Sequence, residues 1–261
     1  MVRCYPEATV SPRRRCDLST SIGELRLVEA CAQPGCPVCF CLTQHSREQL
    51  GALLYELVTD LDTRRRLRAS WGLCNWHTWM LLEVPASRAG TAILYEDLLR
   101  KLIERVGRAT PPTMTKRFAP WLTHARARTA QRLAAGYRRR PRCPVCERAG
   151  EAEQRYLEAI LTRVDDPEFR LAYARSGGLC APHAMRAVEL AGDRGEVKPL
   201  LQLTLVRWSR IRQELASFIA KHDHRNTRPF TDGEAASCPR ALELLSGAPG
   251  LFGNDLSHRG R

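Results

Sequence analysis

Cys36-Pro37-Val38-Cys39 recurs as Cys143-Pro144-Val145-Cys146, and Gly72-Leu73-Cys74-Asn75-Trp76-His77 is echoed by Gly178-Leu179-Cys180-Ala181-Pro182-His183. The offsets are 107 residues for the first pair and 106 for the second. The apolar positions between the motifs agree as well: Leu50, Leu53, Leu54 and Leu57 match Leu157, Ile160, Leu161 and Val164. Matching loops, spacings and stripes together indicate an internal duplication.

Each copy reads as helical. Leu50, Leu53, Leu54, Leu57, Val58 and Leu61 follow the three-and-four spacing of an amphipathic helix. A short helix is expected from about Asp62 to Ser70. Its counterpart opens on Asp166-Pro167-Glu168, a cap, a first-turn proline and an acid. Glycine ends each of them, at Gly72 and at Gly177-Gly178. A third helix follows each Cys-x-x-His. A fourth carries Leu94, Leu98, Leu102 and Val106 in one copy, and Leu201, Leu205, Trp208, Ile211, Leu215 and Phe218 in the other. No stretch alternates with period two between turn signals, so the expected fold is all-α: two tandem helical modules, each around a Cys3His metal site, joined by a basic linker. The divisions are a flexible arm over 1–20, modules over 21–107 and 143–222, a linker over 108–142 with a helix near 118–136, and a tail over 223–261 with a short helix at 234–246.

Cysteine and histidine at these spacings suit zinc, which takes four tetrahedral N/S ligands in closed structural sites. Proline after the first cysteine stiffens the knuckle. The second pair opens a helix, where a thiolate is favoured and the histidine falls one turn later. Read along the chain, one site is Cys36, Cys39, Cys74 and His77, and the other is Cys143, Cys146, Cys180 and His183, giving two zinc ions per chain. Three readings compete: a thioredoxin-like redox pair, an iron–sulfur cluster, and buried cysteines without metal. The first needs strands before the motif, and none is legible. Histidine is a less common cluster ligand. The third explains neither the histidines nor the repeat. Cys4, Cys16, Cys31, Cys41 and Cys238 read as small buried or surface residues, and His45, His124, His222, His224 and His258 as surface or packing residues. Trp71, Trp76 and Trp79 crowd the first Cys/His turn and read as packing.

The order Cys-Pro-x-Cys, helical stretch, Gly-Leu-Cys-x-x-His, present over 36–83 and 143–192, resembles that of an uncharacterised bacterial zinc-binding family, a domain of unknown function. The resemblance implies metal binding at the eight ligands and a helical fold. It implies no reaction.

The chain has 261 residues, 44% of them hydrophobic, enough for a sizeable core. Its 41 Lys+Arg against 28 Asp+Glu give +13, a balance that draws polyanions. Most of that excess lies in 101–142, with twelve Lys and Arg against one acid, Glu104. Lys116, Arg117, Arg126, Arg128, Arg132, Arg138, Arg139, Arg140 and Arg142 are the candidate contacts to nucleic acid or a ribonucleoprotein, with Phe118, Trp121 and Tyr137 interleaved for stacking. A helical protein–protein adaptor and a thiol-based redox or metal sensor are the alternatives.

No phosphate loop, nucleophile elbow or His-Glu-x-x-His is present, and the acids at 60, 62, 165 and 166 read as helix caps, so a non-enzymatic role is expected. Glu151 and Glu153 read as a solvated face. No secretory signal or membrane-spanning run is legible, which points to a cytoplasmic, non-membrane protein.

Overall fold

The computed structural model describes residues 22–109, 120–192, 195, 197–223 and 225–252, with backbone alone for 22–24 and 120–127. All regular structure among them is helical. The first half holds α1 (Ile22–Cys31), α2 (Pro37–Tyr55), α3 (Leu61–Ala69), α4 (Asn75–Met80) with a 3-10 turn at Leu81–Glu83, and α5 (Arg88–Ala109). After α6 (Pro120–Arg138), the second half repeats the pattern as α7 (Pro144–Arg163), α8 (Pro167–Arg175), α9 (Ala181–Ala191) and α10 (Val197–Lys221). Then come α11 (Asp232–Ala235) and α12 (Ser237–Ser246). The all-α expectation stands. The sequence reading assigned no helix before Cys36, so α1 is an addition.

Local chemistry sets the boundaries. Asp60 caps α3 by accepting from the Thr63 amide at 2.7 Å, and Asp166 caps α8 by accepting from the Glu168 amide at 3.0 Å. Caps of this kind satisfy amides that the helix itself leaves without partners. The stripe read through Leu61 breaks at Tyr55: Leu50, Leu53 and Leu54 are buried in α2, while Leu61 opens α3 and is exposed. The stripes of the closing helices shift too. In α10 the buried positions are Leu200, Thr204 and Ile211, and Leu205 faces outward. In α5 Leu94 is buried, and Leu102 and Val106 are exposed.

The long helices α2 and α7 pack antiparallel at the centre. Arg148 donates to Gln49, and Cys41 lies beside Tyr156. Gln49 and Tyr156 are repeat equivalents, as are Cys41 and Arg148, so the contact is reciprocal, like an isologous dimer interface folded into one chain. Two cores flank it. The larger joins α1 and the start of α2 to α7, α8, α9 and Leu200 of α10. The smaller joins the rest of α2 to α3, α4, Leu94 of α5 and the first turn of α7. Each core therefore takes elements from both halves. Arg68 of α3 ties α5 to the smaller core through two 2.7 Å hydrogen bonds to buried Asp97, whose carboxyl they hold below its usual range.

Candidate metal centres

The first cysteine of each motif is the N-cap of a helix: Cys36 of α2, Cys74 of α4, Cys143 of α7 and Cys180 of α9. The second ligand stands three residues on, in the first turn. Proline in the first turn of α2, α7 and α9 costs no hydrogen bond there. Every ligand pair thus sits at the positive end of a helix dipole, which favours thiolate.

The helices meet in a way that chain order does not suggest. Cys36 and Cys39 join Cys180 and His183, and Cys74 and His77 join Cys143 and Cys146. All eight candidates are used, in two sets of four whose ligand atoms lie within 4.8 Å of one another. The sequential grouping is overturned: each cluster takes one pair from each half. The antiparallel packing of α2 on α7 explains it, because the start of each long helix is carried to the far half of the molecule.

The donor sets fit a single ion. Four ligands around a tetrahedral centre at about 2.0–2.3 Å stand roughly 3.3–3.8 Å apart. In the first cluster His183 Nδ1 lies 3.4, 3.4 and 3.2 Å from the sulfurs of Cys36, Cys39 and Cys180, and Cys39 Sγ is 3.7 Å from Cys180 Sγ. In the second, His77 Nδ1 lies 3.2, 3.6 and 3.3 Å from Cys74, Cys143 and Cys146, and Cys146 Sγ is 3.6 Å from Cys74 Sγ. Burial alone would push the two histidines toward neutrality. Hydrogen bonds to the cysteines overcome it and raise His77 to about 9; they raise His183 to about 11 with help from Glu153. Cys36 is held low in the same way: burial opposes its ionisation, and hydrogen bonds from Cys180, Cys39 and His183 outweigh it.

The outer ring nitrogens are supported from the long helices. His77 Nε2 is 3.2 Å from Ser46 Oγ on α2. His183 Nε2 is buried, without a well-aligned hydrogen bond, and Glu153 Oε1 on α7 stands 3.4 Å from it. Ser46 and Glu153 are repeat equivalents, each seven residues after the second cysteine of its knuckle. Sequence reading passed over Ser46 and placed Glu153 on a solvated face. The shared offset from Cys39 and Cys146 was the signal that marks them.

The clusters differ in cover. The first is sealed by the segment after α12: the Ala248 amide donates to Cys39 Sγ at 3.4 Å, and Phe252 sets its ring edge-on to His183 at 5.0 Å. In the second, Cys74 and Cys146 are half-buried. Trp76 stacks against His77, with ring centroids 4.6 Å apart, whereas Trp79 is exposed. Trp71 packs away from the cluster, edge-on to Tyr137 and under Arg105.

Of the other cysteines, Cys31 and Cys41 are buried outside the clusters, and burial pushes their thiols up to about 11 and 12. Cys238 is exposed. Cys4, Cys16, His224 and His258 lie outside the described residues, as does the side chain of His124.

Among the candidate polyanion contacts, Arg128, Arg132 and Arg138 are exposed on α6, and Arg139 and Arg142 are exposed beyond it. Arg140 lies over the Tyr137 ring, 4.0 Å from its centre. Tyr137 is thus engaged in packing. Lys116, Arg117 and Phe118 lie outside the described residues, and so do the side chains of Trp121 and Arg126.

A family of unknown function, DUF6062, matches residues 19–249. The chain belongs to that family. The match runs through both clusters and through α1 to α12 of the described residues. No curated protein and no solved structure matches the chain. Among the described residues, no helix is long and apolar enough to cross a membrane.

Proposed function

We propose that this is a non-enzymatic protein that holds two structural zinc ions and presents an arginine-rich surface to nucleic acid or a ribonucleoprotein. The observation that carries the metal reading is the donor geometry: three sulfurs and one imidazole nitrogen per cluster, at the separations of a single tetrahedral ion. Spacings this close suit one ion better than a multi-iron cluster, which spreads its thiolates further apart. Four protein donors leave no open coordination position, so the ions serve the fold rather than a reaction.

The polyanion reading is supported by the exposure of Arg128, Arg132 and Arg138 along α6 and of Arg139 just after it. Arg128 and Arg132 are one turn apart and share a face. Such side chains contact phosphates and release counterions, giving salt-sensitive binding with little sequence preference. Elemental analysis of chelator-free protein tests the first part, with two zinc ions per chain expected and iron or no metal overturning it. Anisotropy with a labelled single-stranded RNA tests the second. Reversal of the four arginines to glutamate is expected to abolish binding, with metal content unchanged. Binding that survives the reversal would remove the polyanion role.

A further inference from the structure

The two halves are not equally furnished. In the larger core α1 lies in a trough formed by α2, α7 and α8, with Leu27, Ala30 and Cys31 buried against Val38, Ile160, Val164 and Tyr173. The repeat maps this trough onto Val145 of α7, Leu53 of α2, Leu57 in the turn after α2, and Leu67 of α3. Those residues line an open groove of about 270 Å³. The same seat therefore exists twice, filled by a helix in one half and, among the described residues, vacant in the other.

The chain's own candidate for the second seat lies elsewhere. Helix α6 runs into Cys143 through Arg140-Pro141-Arg142, as α1 runs into Cys36 through Gln33-Pro34-Gly35. Yet α6 packs on α5. Its positions equivalent to Leu27, Ala30 and Cys31 are Ala134, Tyr137 and Arg138. Ala134 and Arg138 are exposed, and Tyr137 is engaged with Trp71. An arginine in place of a buried cysteine does not make a core seam.

Charge distinguishes the vacant seat from the filled one. Where the filled seat has Cys41, Ala172 and Glu48, the vacant one has Arg148, Arg66 and Arg155. Glu48 pairs with Arg26 of α1 at 2.7 Å, and the Cys41 thiol points to the Arg26 carbonyl at 3.8 Å. The acids at the rim do not offset the change, because Asp60 and Asp62 correspond to acids in the filled seat too, Asp166 and Glu168. Asp60 caps α3, and Asp62 pairs with Arg65. A helix in the vacant seat thus meets an apolar floor, two additional guanidinium groups in its lining, Arg66 and Arg148, and a third, Arg155, where the repeat places the counterpart of Glu48.

We propose that the groove between α2, α3 and α7 is the docking seat for an acidic amphipathic helix of a partner protein, about three turns long, with a small aliphatic seam like that of α1 and an acid where α1 has Arg26. This site is separate from the arginines of α6, and it stands or falls independently of nucleic-acid binding.

The probe is a fluorescein-labelled, hydrocarbon-stapled peptide of the Ile22–Cys31 sequence carrying R26E and C31A, titrated into the metal-replete full chain. Saturable binding is expected. Arg155→Glu, at the position of Glu48 in the filled seat, is expected to weaken it at least tenfold, and a second peptide that retains Arg26 should recover binding to that variant. Thr63→Trp, which places a large ring where α8 has Phe169, should weaken both peptides at least tenfold, with melting temperature and metal content unchanged. Failure of the peptide to saturate the native chain would overturn the proposal, as would equal affinity for the native chain and both variants. A chain dimer that Thr63→Trp dissolves would assign the groove to a second copy and overturn the partner assignment.

Discussion

Ser46 and Glu153 touch only the outer nitrogens of His77 and His183, yet they set how each ring faces its cluster. Partners of this kind orient a ligand and raise its basicity, and losing one typically costs 10–100-fold in metal affinity. Glu153→Ala is therefore expected to speed chelator-driven loss of the ion at Cys36, Cys39, Cys180 and His183 while leaving the other ion in place. Ser46→Ala should do the reverse. Stepwise release against a colorimetric chelator reads both, and equal rates in the two variants would refute the assignment. Gly177 is a second residue whose role is one of space. A Cβ there would overlap the Gly35 carbonyl, where the turn before Cys36 meets the turn before Cys180. Gly177→Ala should destabilise the chain by about 1–3 kcal/mol, the usual effect of overpacking, seen as a lower midpoint in urea. At this scale the eight candidate ligands were legible from spacing alone, because Cys/His knuckles repeat a short local pattern. Their partnership was not. Closing Cys39 onto Cys74 spans 35 residues, and closing Cys36 onto His183 spans 147. Two doublings of loop length cost only about 1.2 kcal/mol. Burial of one aliphatic side chain such as Ile160 or Leu157 recovers about 1.5–3 kcal/mol. Packing between helices thus decides the pairing, and one-dimensional spacing carries no trace of it.

Helix α10 carries the closing elements of the second half. Lys221 near its end bonds Glu234 of α11 at 2.7 Å, and Glu234 also completes a capping box with Thr231. Lys221 first, then Ser217 and the Thr231 amide, hold the Glu234 carboxyl down at about 2, from an ordinary 4.5. A depressed carboxyl stabilises the fold above its unfolded value, and that contribution fades as pH falls from about 4.5 to 2. Glu234→Gln should accordingly lower the melting temperature at neutral pH, and the gap to the native chain should close across that acid window. A gap independent of pH would show that the carboxylate charge is not what docks α11. The elements themselves were mostly legible, since Asp60, Asp166 and the prolines after the cysteines are local signals. The long helices were read less well. Leu205 looked like core because leucine at that spacing suits a stripe, but Thr204 is buried instead, where it bonds buried Tyr173. A polar residue satisfied inside a core is invisible to a hydrophobic pattern. The short α1 escaped notice for a similar reason: its apolar face is narrow, and only the trough that receives it shows what the face is for.

Across the whole molecule, the halves are interlaced rather than strung in series. A fragment ending before α6 holds Cys36, Cys39, Cys74 and His77, two ligands of each cluster. If ligation within one half were available, such a fragment would bind metal as a monomer. The crossed geometry predicts instead that any metal it binds depends on protein concentration and comes with a dimer mass, the two copies reproducing the reciprocal α2–α7 contact. Light scattering with metal titration separates the two outcomes. Mixed with a fragment spanning α6 to α12, it should recover two ions per pair of fragments. The duplication was plain in the sequence, but two copies that fold apart and two copies that fold through each other share the same repeat.

The crossing also fixes an order on the ribosome. Cys74 and His77 can meet their partners once Cys146 has emerged, so that cluster can close while the rest of the chain is still being made. Cys36 and Cys39 are synthesised first and satisfied last, because His183 must leave the exit tunnel before their cluster exists. During that interval the first pair of candidate ligand thiols in the nascent chain stands without its partners. A chaperone or a reducing environment at that stage would protect this protein more than it would one whose sites close in the order they are translated.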